Sequence, residues 1–181
     1  MGSRSDQLNA FSRLLDIMDN LREKCPWDRK QTFQSLRHLT IEETYELGDA
    51  ILENNNEEIK KELGDLLLHI IFYAKIGSEK KVFDITDIAN QISEKLIRRH
   101  PHIYGNLKAY DADEVSSNWE IIKLNEGKKS VLDGVPKALP ALVKAYRVQE
   151  KASSVGFDWD DIDGVLNKVE EELEELRIEL T

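Results

Sequence analysis

The sequence predicts an all-α protein, an antiparallel, four-helix-bundle-like fold in which short connections return each helix along its predecessor. Three observations predict it. Apolar residues recur at three- and four-residue spacing along nearly all of the 181-residue chain, the signature of amphipathic helices. No segment alternates apolar and polar residues for long enough to make a half-buried strand. Clusters of Asn, Gly and Pro interrupt the periodic runs and supply the breaks between helices.

A first helix is expected over residues 6–22, with Leu8, Phe11, Leu14, Leu15 and Met18 on one face. The segment Glu23-Lys24-Cys25-Pro26-Trp27-Asp28 ends it, because a proline biases the residue before it away from helical angles. A second helix runs from about Thr32 to Glu53, and Asn54-Asn55-Asn56 closes it with turn chemistry. The third, about 57–77, opens with Glu57 and Glu58 at its positive end and stops near Gly77. Asp84 is an N-cap for a fourth helix that ends around Arg98-Arg99-His100, where Pro101 forbids continuation. Asp111 or Asp113 caps a fifth helix through Glu126. A sixth spans about 138–152, and a last, very acidic helix runs from 162 to the end. The apolar stripes on helices two and three are wider than one neighbour covers, which predicts an intertwined dimer whose helices complete one another's bundles.

A faint repeat organises the chain. Cys25-Pro26-Trp27-Asp28 precedes Glu42-Glu43-Thr44-Tyr45-Glu46, and Phe157-Asp158-Trp159-Asp160 precedes Glu171-Glu172-Leu173-Glu174-Glu175. Only the first copy is followed by Glu62-Leu63-Gly64-Asp65. The expected organisation is therefore one domain at 1–126, a linker with one helix at 127–160, and the first helix of a truncated second domain at 161–181.

Composition narrows the function. The formal charge of -10 excludes a nonspecific grip on nucleic acid, which needs clustered Lys and Arg to displace counterions. A polyphosphate can still bind through metal ions. No stretch approaches the 18 or so apolar residues of a membrane span, and the N-terminus lacks the apolar core of a secretory signal. Cys25 is the single cysteine, so no intrachain disulfide forms, and a reducing cytoplasm is the simplest compartment.

Four carboxylates stand out. Glu43 and Glu46 lie three residues apart and so share a helical face. Glu62 and Asp65 repeat that spacing on the next helix, and antiparallel packing lets the two pairs face each other. Leu63, Leu66, Leu67, Leu68, Ile70, Ile71, Phe72 and Tyr73 surround Asp65. A helix apolar on nearly every side is buried, and a carboxylate inside it is costly unless something positive is there. A hard divalent cation, Mg²⁺ or Mn²⁺, resolves the conflict, since such ions prefer oxygen ligands. Glu53, Glu57 and Glu58 read instead as solvated charges, and spacing alone leaves Glu62 equally open to a salt bridge with a lysine. A di-iron bundle would want Glu-x-x-His, which does not occur; zinc would want paired Cys or His at ligand spacing. His69 reads as a satisfied core histidine or an outer partner of Asp65.

These residues resemble a known family. Glu42-Glu43-x-x-Glu46 followed by Glu62-x-x-Asp65 is similar to the signature of the MazG-type all-α nucleoside triphosphate pyrophosphohydrolases. Cys25-Pro26-Trp27-Asp28, Glu62-Leu63-Gly64-Asp65-Leu66-Leu67-Leu68 and Lys95-Leu96-Ile97-Arg98-Arg99-His100-Pro101-His102 extend the resemblance, as do Asn118-Trp119-Glu120 and Gly134-Val135-Pro136; together they run from about residue 8 to 176. The resemblance implies Mg²⁺-dependent hydrolysis of a nucleoside triphosphate between the α and β phosphates, giving the monophosphate and pyrophosphate. It implies metal ligation by Glu43, Glu46, Glu62 and Asp65, with Glu42 as the base that orients water. Lys95 and Arg99, on one helical face, become candidates for clamping the outer phosphates, and Trp119 for stacking on the base, against the plainer reading that Trp119 packs in the core. Two other functions stay open: a MazG-like domain that dimerises and binds nucleotide or a partner but turns over little, and an all-α pyrophosphohydrolase dedicated to dUTP or phosphoribosyl-ATP.

Overall fold

The computed structural model describes residues 2–108, 111, 114–115, 118–119, 122, 126, 130–159 and 161–180. The chain divides into two compact units, Met1–Lys95 and Leu96–Thr181. The elements are α1 (Arg4–Lys24), a 3-10 turn (Asp28–Lys30), α2 (Phe33–Leu52), α3 (Asn56–Glu79), α4 (Ile85–Arg99), α5 (Pro101–Tyr104), α6 (Ala141–Ser153) and α7 (Ile162–Glu179). No strand occurs among the described residues, and none of their helices is long and apolar enough to cross a membrane.

Local chemistry sets the boundaries of the first unit. Ser3 and Asp6 form a capping box at the start of α1, and Cys25 leaves the helix with extended angles ahead of Pro26. Thr32 and Ser35 form a second box that opens α2. Each box satisfies backbone N–H groups that the first helical turn leaves without partners. Asn54 adopts a left-handed φ of 55°, which Asn tolerates better than most residues. Asn55 then accepts the Glu58 N–H and caps α3. This three-residue connection makes α2 and α3 the antiparallel hairpin expected from the sequence.

The core of the unit is Met18, Leu36, Ile71, Phe72 and Ile76, bordered by Leu14, Leu15, Phe33, Leu39, Leu68, Tyr73 and Ile85. It meets α1 only from Leu14 onward, so Leu8 and Phe11, expected on the buried stripe, are exposed. It also meets α3 mainly along its second half. From its first half to just past its middle, α3 leaves Leu63, Leu67 and Ile70 open to solvent, against the expectation of a helix buried all round. α1 and α2 cover only one side of α3, and the start of α4 reaches α3 only from about Ile70 onward.

Arg22 fastens the 3-10 turn to the end of α3. Its Nε donates to Glu79 Oε1 at 2.9 Å, a second guanidinium nitrogen pairs with Glu79 Oε2, and the third serves the carbonyls of Asp28 and Gln31. The guanidinium also lies 5.6 Å from the centre of the Phe72 ring. Just beyond, Gly77 is pressed against the return of the chain: a Cβ there would sit 2.6 Å from Phe83 Cε2 and 2.7 Å from the Phe83 carbonyl oxygen. Backbone cannot yield as a flexible side chain can. Gly77→Ala should therefore cost about 1–3 kcal/mol despite alanine's better helix propensity, as a lowered midpoint in urea unfolding.

In the second unit α4 ends at Arg99, as Pro101 requires. The chain then resumes helix at once in α5, where Pro101 occupies the first turn and its missing N–H costs nothing. Asp111 accepts the Glu114 N–H at 2.8 Å, the expected cap, while Asp113 and most of the helix expected to reach Glu126 lie outside the described residues. α6 starts at Ala141 rather than 138, because Pro140 serves as its N-cap. Asp161 caps α7 through Gly164 N–H.

Arg98 and Arg99 both pair with Glu126, and their guanidinium groups, Arg99 first, hold its carboxyl down to about 2. The ordinary value is 4.5. A group with a depressed folded value stabilises fully above its ordinary value and loses that contribution as pH falls through the folded one. Glu126→Gln should accordingly unfold more easily than the parent above pH 4.5, and the two acid-unfolding curves, followed by circular dichroism, should converge by about pH 2.

Candidate metal centre

The connection between α2 and α3 places the acidic turns of the two helices side by side at the end of the hairpin away from the core. Glu43 on α2 and Glu62 and Asp65 on α3 each bring one carboxylate oxygen to within 4.8 Å of the others. Glu46, one turn beyond Glu43, borders the group, and its charge acts on Glu43. The structure thus brings together three of the four carboxylates singled out by spacing, with Glu46 at their border.

Their environments differ in a way that sequence reasoning missed. Glu62, not Asp65, is the buried carboxylate: Glu62 is 2% exposed, whereas Asp65 is half-buried. The physical reason is helical register. Glu62, His69 and Ile76 are spaced at sevens, close to two turns, and all three are buried along the inward line of α3. The buried neighbours His69 and Ile76 were the available signal.

Electrostatics splits the cluster. Burial first, and then the charges of Asp65 and Glu46, push the Glu43 carboxyl above its usual range, with Glu62 adding to the effect. The Glu62 carboxyl moves the other way, because the Lys61 ammonium donates to its Oε1 at 2.8 Å and outweighs the penalty of burial. Like charges held close push one another toward protonation unless a positive group relieves them. Lys61 relieves one oxygen. Glu62 Oε2 is buried and has no hydrogen-bond partner.

These residues fit a hard divalent cation. Three oxygens from two rigid helices converge, and one of them belongs to a buried carboxylate whose second oxygen is unsatisfied. Glu43, Glu62 and Asp65 would hold such an ion through these oxygens, which already lie within 4.8 Å of one another. His69 lies one turn past Asp65 and is buried. It is not a satisfied core histidine, since Nδ1 lacks a partner. Burial holds its imidazole below the ordinary value, with Asp65 opposing, which favours the neutral ring.

The remaining expected residues are placed less closely. Glu42 is exposed on α2 beside Glu43 and outside the converging oxygens. Lys95 is exposed on α4 and belongs to the first unit, while Arg99 belongs to the second and is engaged by Glu126. Trp119 is half-buried and meets the His100 ring edge-on at 5.2 Å between centroids, with Nε1 buried and unpartnered. That is the packing role weighed against base stacking. The salt bridge to a lysine that the sequence left open for Glu62 is present, and its partner is Lys61. Neighbours in sequence do not ordinarily face each other on a helix, so spacing did not single out which lysine.

Comparison with known proteins gives a consistent picture. Residues 31–104 match the MazG nucleotide pyrophosphohydrolase domain. A nucleoside triphosphate pyrophosphohydrolase of Escherichia coli (strain K12) is 43% identical over 179 residues, which cover 95% of this chain and 68% of that protein. The nucleoside triphosphate pyrophosphohydrolase/pyrophosphatase MazG of Thermotoga maritima is 49% identical over 172 residues, covering 92% of this chain and 66% of the relative. The chain thus spans about two thirds of the length of these proteins. The crystal structure of a mazG-related protein from Thermotoga maritima aligns with a TM-score of 0.55 at 25% identity, over 62% of this chain and 98% of that one.

Proposed function

The chain belongs to the MazG nucleotide pyrophosphohydrolase family, and we propose that it hydrolyses nucleoside triphosphates to the monophosphate and pyrophosphate, using Mg²⁺ held by Glu43, Glu46, Glu62 and Asp65. The observation that carries this reading is the unsatisfied buried Oε2 of Glu62 beside Glu43 and Asp65. Mg²⁺ bound there supplies bridging to phosphate oxygens, charge compensation in the transition state and a more acidic water. The chain's own residues do the rest. Glu62 and Asp65, fixed on one rigid helix, orient the ligand oxygens, and α2 closes the set from the opposite side. Glu42 orients the attacking water. Lys95, on the same unit as the carboxylates, contacts the outer phosphates through its ammonium.

We also propose a homodimer. Leu63, Leu67 and Ile70 on α3, with Ile41 and Tyr45 on α2, are large apolar side chains exposed in the single chain. A second copy laid against this stripe would remove them from water at about 25 cal/mol per Å². Light scattering should give twice the 20.9 kDa chain mass, and Leu67→Glu should return it toward the monomer; a monomeric parent contradicts the dimer.

The activity is tested with a panel of triphosphates assayed with and without Mg²⁺, products resolved by chromatography. Monophosphate and pyrophosphate should appear only with the metal. Diphosphate and orthophosphate as products, or no turnover of any triphosphate, would rule the assignment out.

A further inference from the structure

We propose that Lys61 is a phosphate-binding residue held in reserve by Glu62: the divalent ion displaces its ammonium from the carboxylate, and the ammonium then binds the substrate's phosphates. This rests on the metal-site reading above. Lys61 Nζ lies 2.8 Å from Glu62 Oε1 and 3.4 Å from Glu58 Oε2. The pair is unsymmetrical, for the Lys61 side chain is 60% exposed and that of Glu62 is 3% exposed. The lysine therefore stands at the mouth of the carboxylate cluster with its charged end reaching inward.

A divalent ion and the ammonium seek the same oxygen, and the doubly charged ion, served by Glu43 and Asp65 as well, has the stronger claim. Once displaced, the ammonium has a long flexible stem and a solvent-facing base from which to reach. Phosphate oxygens in the coordination sphere of an ion bound at Glu62 stand about 3 Å from the carboxylate oxygen, within the range Nζ already covers. Lys60 provides the contrast: it is exposed, pairs with Glu57 and makes no contact with the cluster. Lys61 is thus the cation that the acidic site needs for a polyanionic substrate.

Two titrations test the exchange, with Lys61→Met compared with the parent, Lys61→Arg and Lys60→Met. The first uses Mn²⁺ alone, followed by calorimetry. Lys61→Met should bind Mn²⁺ about two- to fivefold more tightly, the factor expected for removing one exposed ion-pair partner, while Lys61→Arg and Lys60→Met stay near the parent. The second uses a non-hydrolysable triphosphate analogue at saturating Mn²⁺, where Lys61→Met should bind about tenfold more weakly, as for the loss of one charge-assisted hydrogen bond. Lys61→Arg should retain most of that affinity. Unchanged Mn²⁺ affinity in Lys61→Met, unchanged analogue affinity, or equal effects from Lys60→Met would each overturn the proposal. A parent that binds no Mn²⁺ would instead refute the metal site on which it stands.

Discussion

Glu62→Gln should lower kcat/KM for triphosphate hydrolysis by about a thousandfold or more and leave the fold intact. A metal that compensates transition-state charge is worth several kcal/mol, and each 1.36 kcal/mol is tenfold in rate. The variant keeps the shape of the side chain and loses the charge that holds the ion. That charge also pairs with Lys61 at 2.8 Å, so the metal-free variant should unfold slightly more easily than the parent, as for the loss of one partly exposed ion pair. The gap should widen with metal: at a hundred times its dissociation constant the ion stabilises the parent by about 2.7 kcal/mol and the variant hardly at all. Thermal melts with EDTA and with Mg²⁺, read beside the pyrophosphate assay, separate a lost ligand from a broken fold. Parent-like turnover in Glu62→Gln would remove this carboxylate from the mechanism.

Arg22→Ala should cost about 2–4 kcal/mol of stability without touching the metal site. The Arg22 side chain is 10% exposed and joins Glu79, the carbonyls of Asp28 and Gln31, and the Phe72 ring. Hydrogen bonds to charged groups are worth about 1.5–3 kcal/mol, and truncation also strips packing from Phe72. Arg22→Lys should recover only part of the loss, because an ammonium cannot serve Glu79 and two carbonyls in one planar fork. Urea unfolding measures the difference; a change below about 0.5 kcal/mol, the level of an ordinary surface substitution, would contradict it.

Much of the first unit was legible because local chemistry and packing agree there. Thr32 and Asn55 are caps by residue type, Pro26 ends α1, and Asn54 takes the left-handed turn. With α2 and α3 fixed as a hairpin, the three-residue spacing of each acidic pair sufficed to bring the pairs together. What the sequence hid were matters of side-chain environment. Asp65 seemed the trapped charge because apolar residues surround it in sequence, but Leu63, Leu67 and Ile70 point to solvent in the single chain, and Glu62 lies on the inward line instead. A lysine partner for Glu62 was open from the sequence, but not which one: a long side chain can bend back to its neighbour, and no helical spacing rule singles out Lys61 for that contact. For His69 the sequence left two readings, a satisfied core histidine or an outer partner of Asp65; buried histidines are usually satisfied, and its Nδ1 is not.

Glu43, Glu46, Glu62 and Asp65 should together hold a divalent ion. Crystals grown with Mn²⁺, with anomalous scattering recorded at the manganese edge, test this directly. The expected result is a peak bonded to oxygens of these four residues at about 2.1–2.2 Å, with Lys61 Nζ moved away from Glu62. A peak elsewhere, or none at this cluster under saturating Mn²⁺, would contradict it.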